Sequence, residues 1–255
     1  MLDLSFNHLR AGLEHVTALT ALQELYLTAN HLKHLPSHVF DRLTQLRTLE
    51  LGDNRLRSVA GLFRALACLE NLWLGRNKLS SLAEIAGDCV LSRVKCLSVQ
   101  QNRITRLQGL AHLPALEELY LSHNGVTWHA ESRDGQVVLE DPELGGLVHL
   151  TRLHTLDLAS NRLTTLMGLQ TMTALSDLWL NDNQLAHVTA LHCLTTLTQL
   201  DTLYIEGNPC MPRAHSTEYA ANRARALWAL GPVADKLSQL DATPLLHRDL
   251  SKLGK

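Results

Sequence analysis

The chain has 255 residues, of which 45% are hydrophobic and only 4% aromatic, with 23 Lys and Arg set against 25 Asp and Glu. Charge this nearly balanced gives no general pull toward nucleic acid or an anionic membrane, and no apolar run approaches the ~20 residues of a membrane span. Few rings and abundant leucine suit a thin, regularly layered core better than a globular one.

The amino terminus, Met1-Leu2-Asp3-Leu4, lacks the basic start and apolar stretch of a signal peptide, and it enters a strand with no cap ahead of it. A partial motif, Leu2-Leu4-Asn7-Leu9, comes first. The full pattern LxxLxLxxNxL then runs through Leu22-Leu25-Leu27-Asn30-Leu32 and Leu46-Leu49-Leu51-Asn54-Leu56. Further copies end on Asn77, Asn102, Asn124, Asn161, Asn183 and Asn208. Nine asparagines in register, mostly 22 to 25 residues apart, mark a leucine-rich-repeat solenoid.

The spacing dictates the local structure. In LxL the two leucines point to one side and the residue between them to the other, so each copy is a short strand. Stacked copies predict an α/β architecture, with a curved parallel sheet on the concave face and 3₁₀ or helical turns on the convex return. Each asparagine falls where the chain leaves its strand, and its amide can satisfy backbone groups that the turn would otherwise bury unpaired. Nine repeats are expected over residues 1–210.

One interval is longer: Asn124 and Asn161 are 37 residues apart. The extra stretch at 128–142 is charged, contains Gly135 and Pro142, and reads as a surface loop. After Asn208 the repeat stops. Ser216 is the expected N-cap of a helix with Ala220, Ala224, Leu227 and Trp228 along one side, ended by Gly231-Pro232. A cap over 211–245 and a tail over 246–255 complete the expected organisation. The cysteines (Cys68, Cys89, Cys96, Cys193, Cys210) are odd in number and form no CxxC, as buried reduced thiols would. That pattern points to a reducing compartment.

Register also fixes the outward column of the sheet: Asp3, Tyr26, Glu50, Trp73, Ser98, Tyr120, Asp157, Trp179 and Tyr204. Five of these nine are Trp or Tyr, although the chain holds only eight such residues. Flanking outward positions add Glu24, Asp53, Arg76, Glu118, His123, Asp177, Asp182 and Glu206. An acidic, aromatic face repels phosphate backbones and suits a basic protein surface. His31, His34 and His38 invite a metal reading, but no Cys or carboxylate completes a tetrahedral set, and surface histidines fit better. Asp157, Asp177 and His123 come from different repeats of an open sheet expected to lack a pocket, and no catalytic motif is present. Neither enzyme activity nor a metal or other cofactor is expected.

The segments LELGDNRLR (49–57), LWLGRNKL (72–79), LSVQQNRITRLQGL (97–110), LYLSHNG (119–125) and LDLASNRL (156–163) occur in order, followed by LWLNDN (178–183), LYIEGNP (203–209) and QLDAT (239–243). Together they resemble the protein phosphatase 1 regulatory subunit 7 family. The resemblance implies a non-catalytic subunit that holds the phosphatase 1 catalytic subunit on its concave face, with a phosphatase inhibitor protein as a further partner of the complex. It implies residence in nucleus and cytoplasm, and neither nucleic-acid nor membrane partners. The family's binding positions carry over to Asp3, Tyr26, Glu50, Trp73, Asp157, Asp177, Trp179 and Tyr204. Tyr120 joins them by register. A structural scaffold of axonemes or another large assembly is the alternative that the same repeats allow. Family members carry several repeats before the one that opens this chain, and the 128–142 insertion is not typical of them.

Overall fold

The computed structural model describes residues 1–86, 91–128, 130–133, 136–139 and 144–244. Cys89, the 246–255 tail and parts of the 128–142 insertion lie outside them.

Strands follow the motif one by one. They are β1 (Leu2–Asp3), β2 (Glu24–Tyr26), β3 (Thr48–Glu50), β4 (Asn71–Trp73), β5 (Cys96–Ser98) and β6 (Glu118–Tyr120). A separate pair, β7 (Ala130–Arg133) and β8 (Gln136–Leu139), precedes β9 (Thr155–Asp157), β10 (Asp177–Trp179), β11 (Thr202–Tyr204), β12 (Gln239–Leu240) and β13 (Thr243–Pro244). One eleven-stranded sheet runs from β1 to β13 in chain order, leaving out β7 and β8. Its first ten strands are parallel, and β13 turns back antiparallel on β12. Leucines of the motif close the core: Leu25, Leu27, Leu49, Leu51, Leu156 and Leu158 have no exposed surface.

The asparagines clasp neighbouring repeats together, and the bond pattern has a direction. Asn54 Nδ2 donates to Leu51 O at 3.1 Å in its own repeat and to Leu27 O at 2.9 Å in the one before. Its Oδ1 accepts the Leu32 N–H at 3.0 Å, also from the preceding repeat. Asn77, Asn102, Asn124, Asn161 and Asn183 repeat the arrangement. Asn7 bonds only within its own turn. At the other end the row stops with Asn208, and Asp241, directly after β12, closes the sheet differently, its Oδ1 accepting the N–H groups of Ile205 and Glu206 at 2.7 and 2.8 Å.

The residue before each asparagine has an unusual backbone. Phe6, Ala29, Asp53, Arg76, Gln101, His123, Ser160 and Asp182 all have φ between 49 and 57°. This left-handed step turns the chain so that the amide points inward, at a cost of roughly 1–2 kcal/mol per residue. Only the ninth copy uses glycine there, Gly207.

The convex side returns through 3₁₀ segments at Glu14–Ala18, Leu110–His112, Leu144–His149, Leu169–Thr171 and Val188–Leu194, and through one short helical turn, α1 (Ala83–Ala86). Repeats abut closely here. Gly109 has φ 105°, and a Cβ on it would stand 2.9 Å from Ala83 Cα. Gly109→Ala is therefore expected to destabilise the fold by about 2 kcal/mol, from left-handed strain plus overpacking. An unchanged urea midpoint would show that this convex seam can open at no cost.

Two expectations change. The insertion is not an irregular loop throughout: β7 and β8 pair antiparallel, with Ala130 opposite Leu139 and Arg133 opposite Gln136. Asp134-Gly135 between them is a strong hairpin dipeptide in the sequence. The carboxy-terminal helix, α2 (Tyr219–Leu230), forms as expected, but Glu218 rather than Ser216 stands directly before it. Ser216 Oγ accepts the Glu218 N–H at 3.3 Å, one residue ahead of the helix, and the buried face is Tyr219, Ala226, Leu227, Ala229 and Leu230. Ala220 and Ala224 face water and Trp228 is 71% exposed. The Tyr219 hydroxyl donates to Asp241 Oδ2 at 3.1 Å, and Arg223 Nη1 donates to Leu240 O at 2.7 Å. These bonds rotate the helix so that the Ala220–Ala224–Trp228 stripe lies outside, where Trp228 meets the His192 ring edge-on.

Candidate protein-binding face

Parallel pairing sets the outward column in one row. Asp3 stands beside Tyr26, then follow Glu50, Trp73, Ser98, Tyr120, Asp157, Trp179 and Tyr204, each registered against the next. Asp177 lies one column over, opposite Thr155 and Thr202. Every proposed contact residue thus sits on one surface. The aromatic members are half-buried, while Asp3 is exposed.

Side-chain chemistry organises the row. Tyr26 and Tyr120 donate their hydroxyls to Glu24 and Glu118, two residues back on the same face, at 3.3 and 2.9 Å. Burial and the Glu118 carboxylate push the Tyr120 phenol well above its ordinary range, so it stays a proton donor. Trp179 and Tyr204 stack at 6.2 Å between ring centroids. Gln239, from the cap, donates to the Tyr204 hydroxyl and fixes that ring. Asp177 accepts from Ser176 Oγ at 2.6 Å.

Three features escaped the reading of the sequence. Arg213 reaches back from the cap to Asp182 at 2.7 Å, so one acid of the face is neutralised from within. Ser98 is buried and donates its hydroxyl to Gln100. The sheet also has a hollow after all, of about 580 Å³, lined by Glu50, Gly52, Asp53, Trp73, Gly75 and Tyr120 among others. It exists because adjacent repeats both carry glycine at the second position after the column. Gln100 lies over Gly75, at about 3.0 Å from where a Cβ would be. Thr28 Oγ1, at the hollow's edge, is buried without a hydrogen-bond partner.

Asp157 is a half-buried acid of the row. Burial holds its carboxyl above the ordinary carboxylate value, while Ser122, the Ala159 N–H and His123 pull the other way. His123 and Asp157 are thus brought together as neighbours, whereas Asp177 is engaged by Ser176. A raised folded-state pKa means that the folded chain keeps the proton to higher pH than the unfolded chain. Stability from this group is therefore lost as pH rises from the ordinary carboxylate range through the raised value. Asp157→Asn keeps an acceptor for Ala159 and removes that loss. We expect a higher thermal midpoint near pH 7 and no change near pH 3. A lower midpoint near pH 7 would mean that the hydrogen bonds outweigh the burial. Among the described residues no group of three His, Cys, Asp or Glu could hold a metal ion.

Comparison with known proteins matches these features. The leucine-rich-repeat family model matches residues 20–79. A leucine-rich-repeat protein of Leptospira interrogans superposes with a TM-score of 0.67 at 26% identity, over 93% of this chain and 59% of that one. The protein phosphatase 1 regulatory inhibitor subunit PPP1R7 homolog of Arabidopsis thaliana is 38% identical over 205 residues, covering 78% of this chain and 56% of the relative. The chain is a leucine-rich-repeat protein similar to the phosphatase 1 regulatory subunit 7 family. The resemblance read from the motifs is thereby upheld. An uncharacterized leucine-rich-repeat protein of Schizosaccharomyces pombe is 33% identical over 113 residues, covering 44% of this chain and 18% of the relative. The chain spans little more than half the length of its Arabidopsis relative, at 56%.

Proposed function

We propose that this protein is a non-catalytic regulatory or scaffold subunit that binds the protein phosphatase 1 catalytic subunit through its acidic, aromatic concave face. The observation that carries the reading is the single row of Asp3, Tyr26, Glu50, Trp73, Tyr120, Asp157, Trp179 and Tyr204, with Asp177 beside it, in a chain 38% identical to a phosphatase regulatory inhibitor subunit. The acids steer a basic partner surface to the face, and the rings supply desolvated anchors. Holding Asp157 ionised in a half-buried place costs stability, as binding groups often do. Retention of the phosphatase 1 catalytic subunit on the immobilised chain tests the proposal, and no retention sinks it. Enrichment of the chain with axonemal proteins instead of phosphatase would favour the scaffold reading.

A further inference from the structure

A second charged surface lies just past the asparagine row, where the chain leaves the sheet toward the convex side. The residue after each asparagine forms its own backbone rungs. His31 N–H donates to Leu9 O, Arg55 N–H to Leu32 O, Lys78 N–H to Leu56 O and Arg103 N–H to Leu79 O, all at 2.8 Å. These rungs hold one basic side chain per repeat at the strand spacing of about 4.8 Å. Two residues on, Lys33 and Arg57 point the same way, because Leu32 and Leu56 between the pairs are fully buried, and exposed Arg10 follows the partly buried Leu9 at the same place in the first repeat. No Asp or Glu occupies either position in the first five repeats.

Lys33, His34, Arg55, Arg57 and Lys78 alone line a hollow of about 460 Å³ on this ridge. Among the described residues, none of Arg10, Lys33, Arg55, Arg57, Lys78 and Arg103 forms a salt bridge. Elsewhere on the molecule Arg47, Arg64, Lys95 and Arg213 do pair with acids. Six cations without ion pairs on a rigid frame repel one another, and a bound anion relieves that repulsion.

We propose that this ridge docks an acidic peptide segment of a partner protein, independently of the concave face. Across five repeats the cations span roughly 19 Å, the length of about six extended residues. Arginine forks at neighbouring rungs match carboxylates bidentately. A single nucleic-acid strand fits less well, because the hollow offers no Trp, Tyr or Phe on which bases could stack.

The test is fluorescence anisotropy with a labelled oligo-glutamate peptide of about twelve residues, beside a thymidine oligonucleotide of equal charge. The expected result is salt-sensitive peptide binding, weakened at least ~10-fold by Arg55→Glu with Lys78→Glu and unchanged by Trp179→Ala. The milder Arg55→Gln with Lys78→Gln pair should give an intermediate loss at an unaltered thermal midpoint, which separates lost charge from lost fold. Failure of the wild-type chain to bind the peptide, binding indifferent to both pairs, or tighter binding of the oligonucleotide each overturns the proposal. None of these outcomes bears on retention of the phosphatase by the concave face.

Discussion

Asn54→Ala is expected to lower unfolding free energy by about 3 kcal/mol, whereas Asn7→Ala should change it by less than about 0.5 kcal/mol. The substitution deletes four bonds at once: Leu32 N–H to Oδ1, and Nδ2 to the carbonyls of Leu27, Leu51 and Gly52. Alanine leaves the Leu32 N–H without a partner and takes one of two donors from each carbonyl, since Leu27, Leu51 and Gly52 keep Asn30, Asn77 and Ala29; Leu27, Leu32 and Leu51 are fully buried. Water reaches this row poorly, since Asn54 itself is only 7% exposed. Each orphaned group costs about 1–3 kcal/mol, reduced where a carbonyl keeps another partner. Asn7 is exposed and spans no repeat boundary, so its loss orphans little. Urea unfolding of the two variants compares them directly. Equal effects would show that the amides act within their own turns and do not join neighbours.

On the concave face, Trp179→Ala combined with Glu50→Ala is expected to weaken binding of the phosphatase 1 catalytic subunit by about 1,000-fold. Each central anchor is worth on the order of 2 kcal/mol. The two residues are five rungs apart, about 24 Å at the strand spacing, far enough for their effects to add. Trp179 stacks on Tyr204, so its removal also strips one face of that ring of its neighbour. Trp228→Ala is the control. It removes an aromatic that is 71% exposed on the cap helix, away from the strand row, and should leave binding unchanged. If titration calorimetry finds the double variant as tight as the wild type, the concave face is not where the phosphatase sits.

Much of this was legible in the sequence because the period of a strand is two. Once Leu25 and Leu27 are taken as inward, Tyr26 has nowhere to point but outward, and parallel stacking carries the same logic to Tyr204. The asparagine clasp was legible too, since one side chain with donors and an acceptor recurs at every turn. The left-handed residues before it were not, because Phe, Ala, Asp, Arg, Gln, His and Ser share no composition that betrays such a backbone. The hollow had a signal that passed unread: Gly52 and Gly75 occupy the same register position in adjacent repeats. The face of α2 was misread because the Ala220–Ala224–Trp228 stripe has helical spacing. What chose the buried face was the contact from Tyr219 to Asp241, two residues far apart in the chain. The hairpin at β7 and β8 was missed by weighing the charge of the insertion above its Asp134-Gly135 dipeptide.

The one-way clasp of the asparagines makes the chain indifferent to what it does between turns. Asn161 donates to Leu121 O at 3.1 Å, and its Oδ1 accepts the Val126 N–H at 2.9 Å, although the intervening return is longer than any other. Each turn thus carries a portable joint, addressed only to the turn before it and blind to the length of its own excursion. New segments can be grafted onto the convex return without renegotiating the sheet. In such a chain, peripheral contacts are free to diversify while the row of outward side chains keeps its pitch.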